Sequence, residues 1–163
     1  MAPMSEWDNF FVAGVGASAT LAGLLFVGIS LNLSKILEYP WLPGRALEAL
    51  LLLLTALVES LLMLVPGQPP RLLGAELLVV GLANWLTIMY LHRQGWRAIT
   101  PPLRGQFVAR VVFSQAASVA FLLGGIAWTF EAYAGLYWLV PGVLLSLVVA
   151  VISSWVLLIE INR

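Results

Sequence analysis

Residues 45–65 read RALEALLLLLTALVESLLMLV, and this stretch decides the class of the chain. A bilayer core about 30 Å thick is crossed by a helix of about 20 mostly apolar residues. The stretch meets that length with Arg45 and Glu48 at its start and Glu59 as its one later charge. Working outward, residues 10–33 precede it and residues 72–91, 107–130 and 136–161 follow, each of the same character. Breakers separate them: Pro40-Trp41-Leu42-Pro43-Gly44, Pro66-Gly67-Gln68-Pro69-Pro70, Pro101-Pro102, and the weaker Glu131-Ala132-Tyr133-Ala134-Gly135. Continuous apolarity over such lengths fits helices and not the two-residue alternation of barrel strands. The expectation is an all-α, integral membrane bundle of five transmembrane helices forming a single domain over residues 1–163.

Composition points the same way. Of 163 residues, 61% are apolar or aromatic and 10% are charged, against roughly 45–50% and about 25% in soluble domains. So few charges could not cover a soluble surface. Eight basic residues balance eight acidic ones, so no basic excess exists to neutralise nucleic-acid phosphates. With no Cys and one His, neither a disulfide scaffold nor a Cys- or His-based metal site is expected. Phosphate-binding, nucleophile-elbow and metalloprotease motifs are missing from the sequence. The chain is therefore read as non-enzymatic, with no cofactor and no metal. No signal peptide is read either, because Glu6 and Asp8 stand where a basic region would precede the apolar core.

Placing the N-terminus outside puts Lys35, Arg45, Arg93, Arg97, Arg104, Arg110 and Arg163 inside and leaves only Arg71 outside. That is the positive-inside pattern. It implies N-out, C-in, with aromatic belts of Trp7, Trp128, Tyr133, Tyr137 and Trp138 outside and Tyr39, Trp41, Tyr90, Trp96 and Trp155 inside.

Small and weakly polar residues mark the faces on which membrane helices pack. The first span carries Gly16, Thr20, Gly23, Val27, Ser30 and Ser34 at alternating four- and three-residue steps, and the fifth carries Gly142, Ser146, Val149, Ser153, Val156 and Glu160. The first-span stripe reads as a helix-packing or oligomer contact, or alternatively as the lining of a narrow polar path.

Glu48, Thr55 and Glu59 share one face of the second span. Glu59 alone is ionisable and deep, and an isolated carboxylate there costs about 2.5–3.5 kcal/mol. Matching depths brings Ser18 and Ser146 to its level, with Thr55 one turn away. These four are the candidates for a proton or ion site, with Glu59 expected to be protonated or to share a proton or cation. At the inner boundary Glu48, Arg110 and Glu160 are expected to form a charge cluster that fastens the bundle, while His92 is read as lying at the membrane surface. Arg93, Arg97 and Arg104, in the longest inner connection (His92–Gln106), are candidates for contact with lipid headgroups.

The run Gly16-Ala17-Ser18-Ala19-Thr20-Leu21-Ala22-Gly23-Leu24-Leu25-Phe26-Val27, with Ser30-Leu31-Asn32-Leu33, resembles the opening helix of a largely uncharacterised group of small bacterial multi-pass inner-membrane proteins. Val65-Pro66-Gly67-Gln68 and Leu136-Tyr137-Trp138-Leu139-Val140-Pro141-Gly142 are similar to later parts of that group. The resemblance implies a bacterial inner-membrane location and brings no catalytic residue.

Three roles remain open from the sequence. One is an assembly or regulatory partner of other membrane proteins. Another is an oligomeric ion or proton channel or small transporter using Glu59 and the first-span stripe. The last is a lipid-binding scaffold. The expected partners are the lipid bilayer, a second copy of the chain and a further membrane protein, with no nucleic acid.

Overall fold

In hydrocarbon every backbone donor and acceptor must be satisfied within the chain, which leaves a helix as the solution for each of these apolar runs. A computed structural model describes residues 5–99, 104–130 and 134–161. Its helices are α1 (Ser5–Leu31), α2 (Leu33–Glu38), α3 (Leu42–Met63), α4 (Pro70–Ala98), α5 (Arg104–Thr129) and α6 (Gly135–Ile161). All except α2 are long and apolar enough to cross a membrane. The chain is a helical bundle with five membrane-spanning candidates.

The breaks follow local chemistry. Asn32 leaves the helical region at φ −118° and ψ 19°, and its side-chain amide donates to the Gly28 carbonyl at 3.0 Å. Ser34, expected to be the last step of the first-span stripe, therefore sits on the separate helix α2. Pro43 and Pro70 open α3 and α4 from first-turn positions, where a missing N–H leaves no bond unmade. Gly67 supplies the left-handed turn between them at φ 70°.

Helices α3, α4, α5 and α6 pack each against the next and close into a ring, and α1 lies outside it on α3 with a lighter contact to α6. The α4/α5 contact is the closest. A Cβ at Gly74 would run into the Thr129 backbone, and one at Gly125 would stand 2.9 Å from the Leu78 amide nitrogen. On α6, a Cβ at Gly142 would come within 2.7 Å of the Phe121 ring.

Chain direction gathers Lys35, Arg45, Arg93, Arg97, Arg104 and Arg110 at one end of the bundle, here the basic end. The opposite end is filled by Phe11, Met63, Leu73, Leu77, Phe121 and Trp128, none more than 3% exposed. Trp128, expected in an interfacial belt, is thus a core residue, because it packs on the start of α6, where a Cβ at Gly135 would stand 2.9 Å from its ring. Trp7 and Tyr137 meet edge-on nearby at 5.1 Å between ring centroids. Tyr133 and Arg163 lie outside the described residues.

Candidate functional site

α3 and α4 run antiparallel, and the polar face of α3 meets α4 in steady register. Glu48 faces His92, Thr55 and Asn84 line one groove, and Glu59 faces Gly81. Gly81, Asn84, Ile88 and His92 recur at three- and four-residue steps, so one face of α4 supplies every opposing position. α5 completes the seam with Ser114, Gln115 and Ser118.

The seam is most developed toward the basic end. His92 Nε2 lies 2.9 Å from Glu48 Oε1 and 3.3 Å from Ser114 Oγ. The Gln115 side-chain amide reaches His92 Nδ1 at 3.1 Å. With Gln115 donating to Nδ1, the ring carries its hydrogen on Nε2 and donates it to Glu48. Arg110 Nε stands 3.4 Å from the other Glu48 oxygen, and its guanidinium lies 5.1 Å from the centroid of the Phe107 ring. Glu48 is 1% exposed and His92 6%, so the cluster is inside the protein.

This corrects the expectation for His92. The ring is buried inside the protein and not exposed, because α4 continues beyond Leu91 to Ala98 and the ring turns toward α3 and α5. The Glu48–Arg110 pair is present, and the Glu160 side chain lies outside those described. A cleft of about 350 Å3, lined by Trp41, Arg45, Glu48, Gln94 and Arg110 among others, opens the cluster toward the basic end.

Further along the seam, Asn84 Nδ2 donates to Ser118 Oγ at 3.2 Å, and Ser118 Oγ donates to the Ser114 carbonyl at 3.0 Å. The Asn84 carbonyl oxygen is buried without a hydrogen-bond partner. Glu59 follows, 1% exposed, with neither carboxylate oxygen bonded.

Ser18 and Ser146 do not join Glu59. Both are fully buried, but their hydroxyls make no hydrogen bond, and they belong to the other side of α3. On that side Ser60 meets Gly14 of α1, beside Val143 of α6. Ser18 lies one turn along from Gly14 and Ser146 one turn along from Val143. Successive helical residues point about 100° apart, so Glu59 and Ser60 face different neighbours. Thr55 is buried on the Glu59 side.

The first-span stripe is elsewhere again. Gly16, Thr20, Gly23, Val27 and Ser30 are exposed on the outward side of α1, and Ser34 is exposed on α2. Thr20 and Ser30 donate to the carbonyls of Gly16 and Phe26 in their own helix, at 2.7 and 2.8 Å. The corresponding α6 positions Gly142, Ser146, Val149 and Ser153 face inward.

Arg93, Arg97 and Arg104 are exposed at the basic end, with the Arg104 guanidinium 5.5 Å from the centroid of the Trp96 ring. Among the described residues no three His, Cys, Asp or Glu side chains gather as metal ligands. Glu48 and Ser114 share the same His92 nitrogen, so the ring is held between them and no base–nucleophile–acid relay is aligned. Set against family models, curated proteins and solved structures, the chain matches none of them.

Proposed function

We propose that this chain is a non-enzymatic assembly protein of a bacterial inner membrane, built to hold a further transmembrane helix against the outward face of α1. One observation carries the reading: that face is low, smooth and already satisfied. No atom lies within 4 Å of a Cβ built at Gly16 or Gly23, and the Thr20 and Ser30 hydroxyls are turned onto their own helix. A second backbone can approach such a surface closely without burying an unpaired polar group, and close approach is what drives association in lipid. The inward side of α1 already packs on α3 through Gly14, so the outward face is left for another molecule.

The gathering of basic residues at one end supports an N-out, C-in orientation. The channel alternative needs Glu59 and the α1 stripe to act together. α3 stands between them, with Glu59 turned to α4 and α1 packed on the Ser60 side, which favours the assembly role.

Since the chain has no Cys, single-cysteine crosslinking in native membranes tests the proposal. Val27→Cys should crosslink to a second copy or to another membrane protein, and Val79→Cys, exposed on α4, should not. Adding Gly16→Leu and Gly23→Leu to the Val27→Cys chain should abolish the crosslink. No crosslink at Val27→Cys, or equal crosslinking at Val79→Cys, refutes it.

A further inference from the structure

Glu59 has no part in the α1 face, and the structure gives it neither an ion-pair nor a hydrogen-bond partner. It is 1% exposed with both oxygens unbonded. Gly81 of α4 packs beside it, a Cβ there being 3.4 Å both from Oε1 and from Leu122 of α5. The charged groups of the surrounding helices all lie toward the two ends. On α4 they are Arg71 and Glu76 at one end and His92, Arg93 and Arg97 at the other. On α5 they are Arg104 and Arg110, and on α3 itself Arg45 and Glu48. α1 has none after Asp8, and α6 has none among its described side chains.

The two directions away from Glu59 differ in kind. Toward the opposite end Met63, Leu73, Leu77, Phe121 and Trp128 close the bundle, each at most 3% exposed. There α4 and α5 are too close to admit even a methyl group at Gly74 or Gly125. Toward the basic end the same interface carries Asn84 and Ser118, then, past an apolar layer of Leu52, Ile88 and Ala117, Ser114, Gln115, His92 and Glu48, ending in the cleft beside Arg110. The Ser118 hydroxyl, bonded to the Ser114 carbonyl, links the two polar stretches past that layer. Asn84 is one turn from Gly81 on the same face of α4, and a water between polar groups too far apart to bond directly can bridge them. The unbonded Asn84 carbonyl oxygen and the two Glu59 oxygens are the acceptors such a water would join.

We infer that Glu59 is a proton-binding site reached from the basic end alone, with water entering through the cleft beside Glu48 and Arg110 and along the α3/α4/α5 seam. A hydronium ion arriving there gives its proton to a Glu59 carboxylate oxygen, forming one O–H bond and leaving water; release reverses the step. The site binds a proton without passing it across the bundle, because the apolar end offers no further carrier. This assignment is independent of what docks on α1.

Infrared spectroscopy of the full chain in lipid vesicles tests it. A protonated-carboxyl band should be present and should be lost in Glu59→Gln. On transfer to deuterated buffer that band should shift as the proton exchanges. Asn84→Leu should slow the exchange about tenfold, the rate equivalent of losing one hydrogen-bonding step. Ser118→Ala should slow it in the same direction and serves if the first variant fails to fold. Leu77→Ala, at the apolar end, should leave the rate unchanged. Three results overturn the inference: no Glu59-dependent band at any pH, unaltered exchange in the folded seam variant, or acceleration in Leu77→Ala.

Discussion

Removing Glu48 should harm the bundle more than removing Arg110, although the two form one ion pair. Glu48 engages His92 through one oxygen at 2.9 Å and Arg110 through the other at 3.4 Å. Glu48→Met breaks both contacts, leaving the imidazole N–H with only the Ser114 hydroxyl at 3.3 Å and the guanidinium without its carboxylate. A hydrogen bond to a charged group contributes about 1.5–3 kcal/mol, and the longer Arg110 pair contributes less. The Arg110 side chain is 13% exposed, so it can turn into the adjacent cleft instead of remaining as an uncompensated charge. Together these give a loss of about 3 kcal/mol for Glu48→Met. Arg110→Met leaves the Glu48–His92 bond intact and should cost about 1–1.5 kcal/mol. In the double variant the same two contacts are lost as in Glu48→Met, so its cost should match Glu48→Met alone and fall below additivity by about 1–1.5 kcal/mol. Unfolding free energies measured in the bilayer by steric trapping give all three values. If Arg110→Met costs as much as Glu48→Met, or if the two losses simply add, the shared-carboxylate geometry is refuted.

Glycines on the two kinds of surface should respond oppositely. Gly125→Leu forces α4 and α5 apart and should cost at least the 1–3 kcal/mol typical of overpacking, read as loss of folded protein in detergent. Gly23→Leu, with open space around it, should leave that readout unchanged. Glu59→Leu removes two buried, unbonded oxygens and should hold or raise unfolding stability by about 1 kcal/mol; a loss of that size would mean Glu59 has a partner. In single-tryptophan variants, lipids brominated in the acyl chain should quench Trp155, which is 62% exposed, and spare Trp128 at 2%. Equal quenching would place Trp128 at the lipid boundary.

Depth was legible in the sequence and azimuth was not. Bilayer thickness fixes how long an apolar run must be, so all five long helices could be read from composition and breakers alone. The shared face of Glu48, Thr55 and Glu59 followed from helical spacing. Which neighbour each residue faces depends on how the helices are arranged around one another, and a single chain does not state it. Ser18 and Ser146 fall within about one turn of Glu59 along the bundle yet stand behind α3, and the first-span stripe points outward. The burial of His92 is not legible because hydropathy ends at Leu91 while the helix does not. Its place on the face with Gly81, Asn84 and Ile88 was the signal that could have found it.

The short α3–α4 connection, residues 64–69, bears on how the bundle enters the membrane. The two carboxylates of α3 are covered mainly by the very next helix in the chain: His92 masks Glu48, and Gly81 lets the chain close over Glu59. Inserted alone, α3 would carry Glu59 into lipid, where a charge at the centre costs about 2.5–3.5 kcal/mol, with Glu48 unmasked near the boundary. Inserted as a hairpin with α4, it presents lipid with the leucine side and keeps the polar side within the pair. Biogenesis is thereby tied to chain order, because the polar groups that distinguish this bundle can be sheltered as soon as α4 leaves the ribosome.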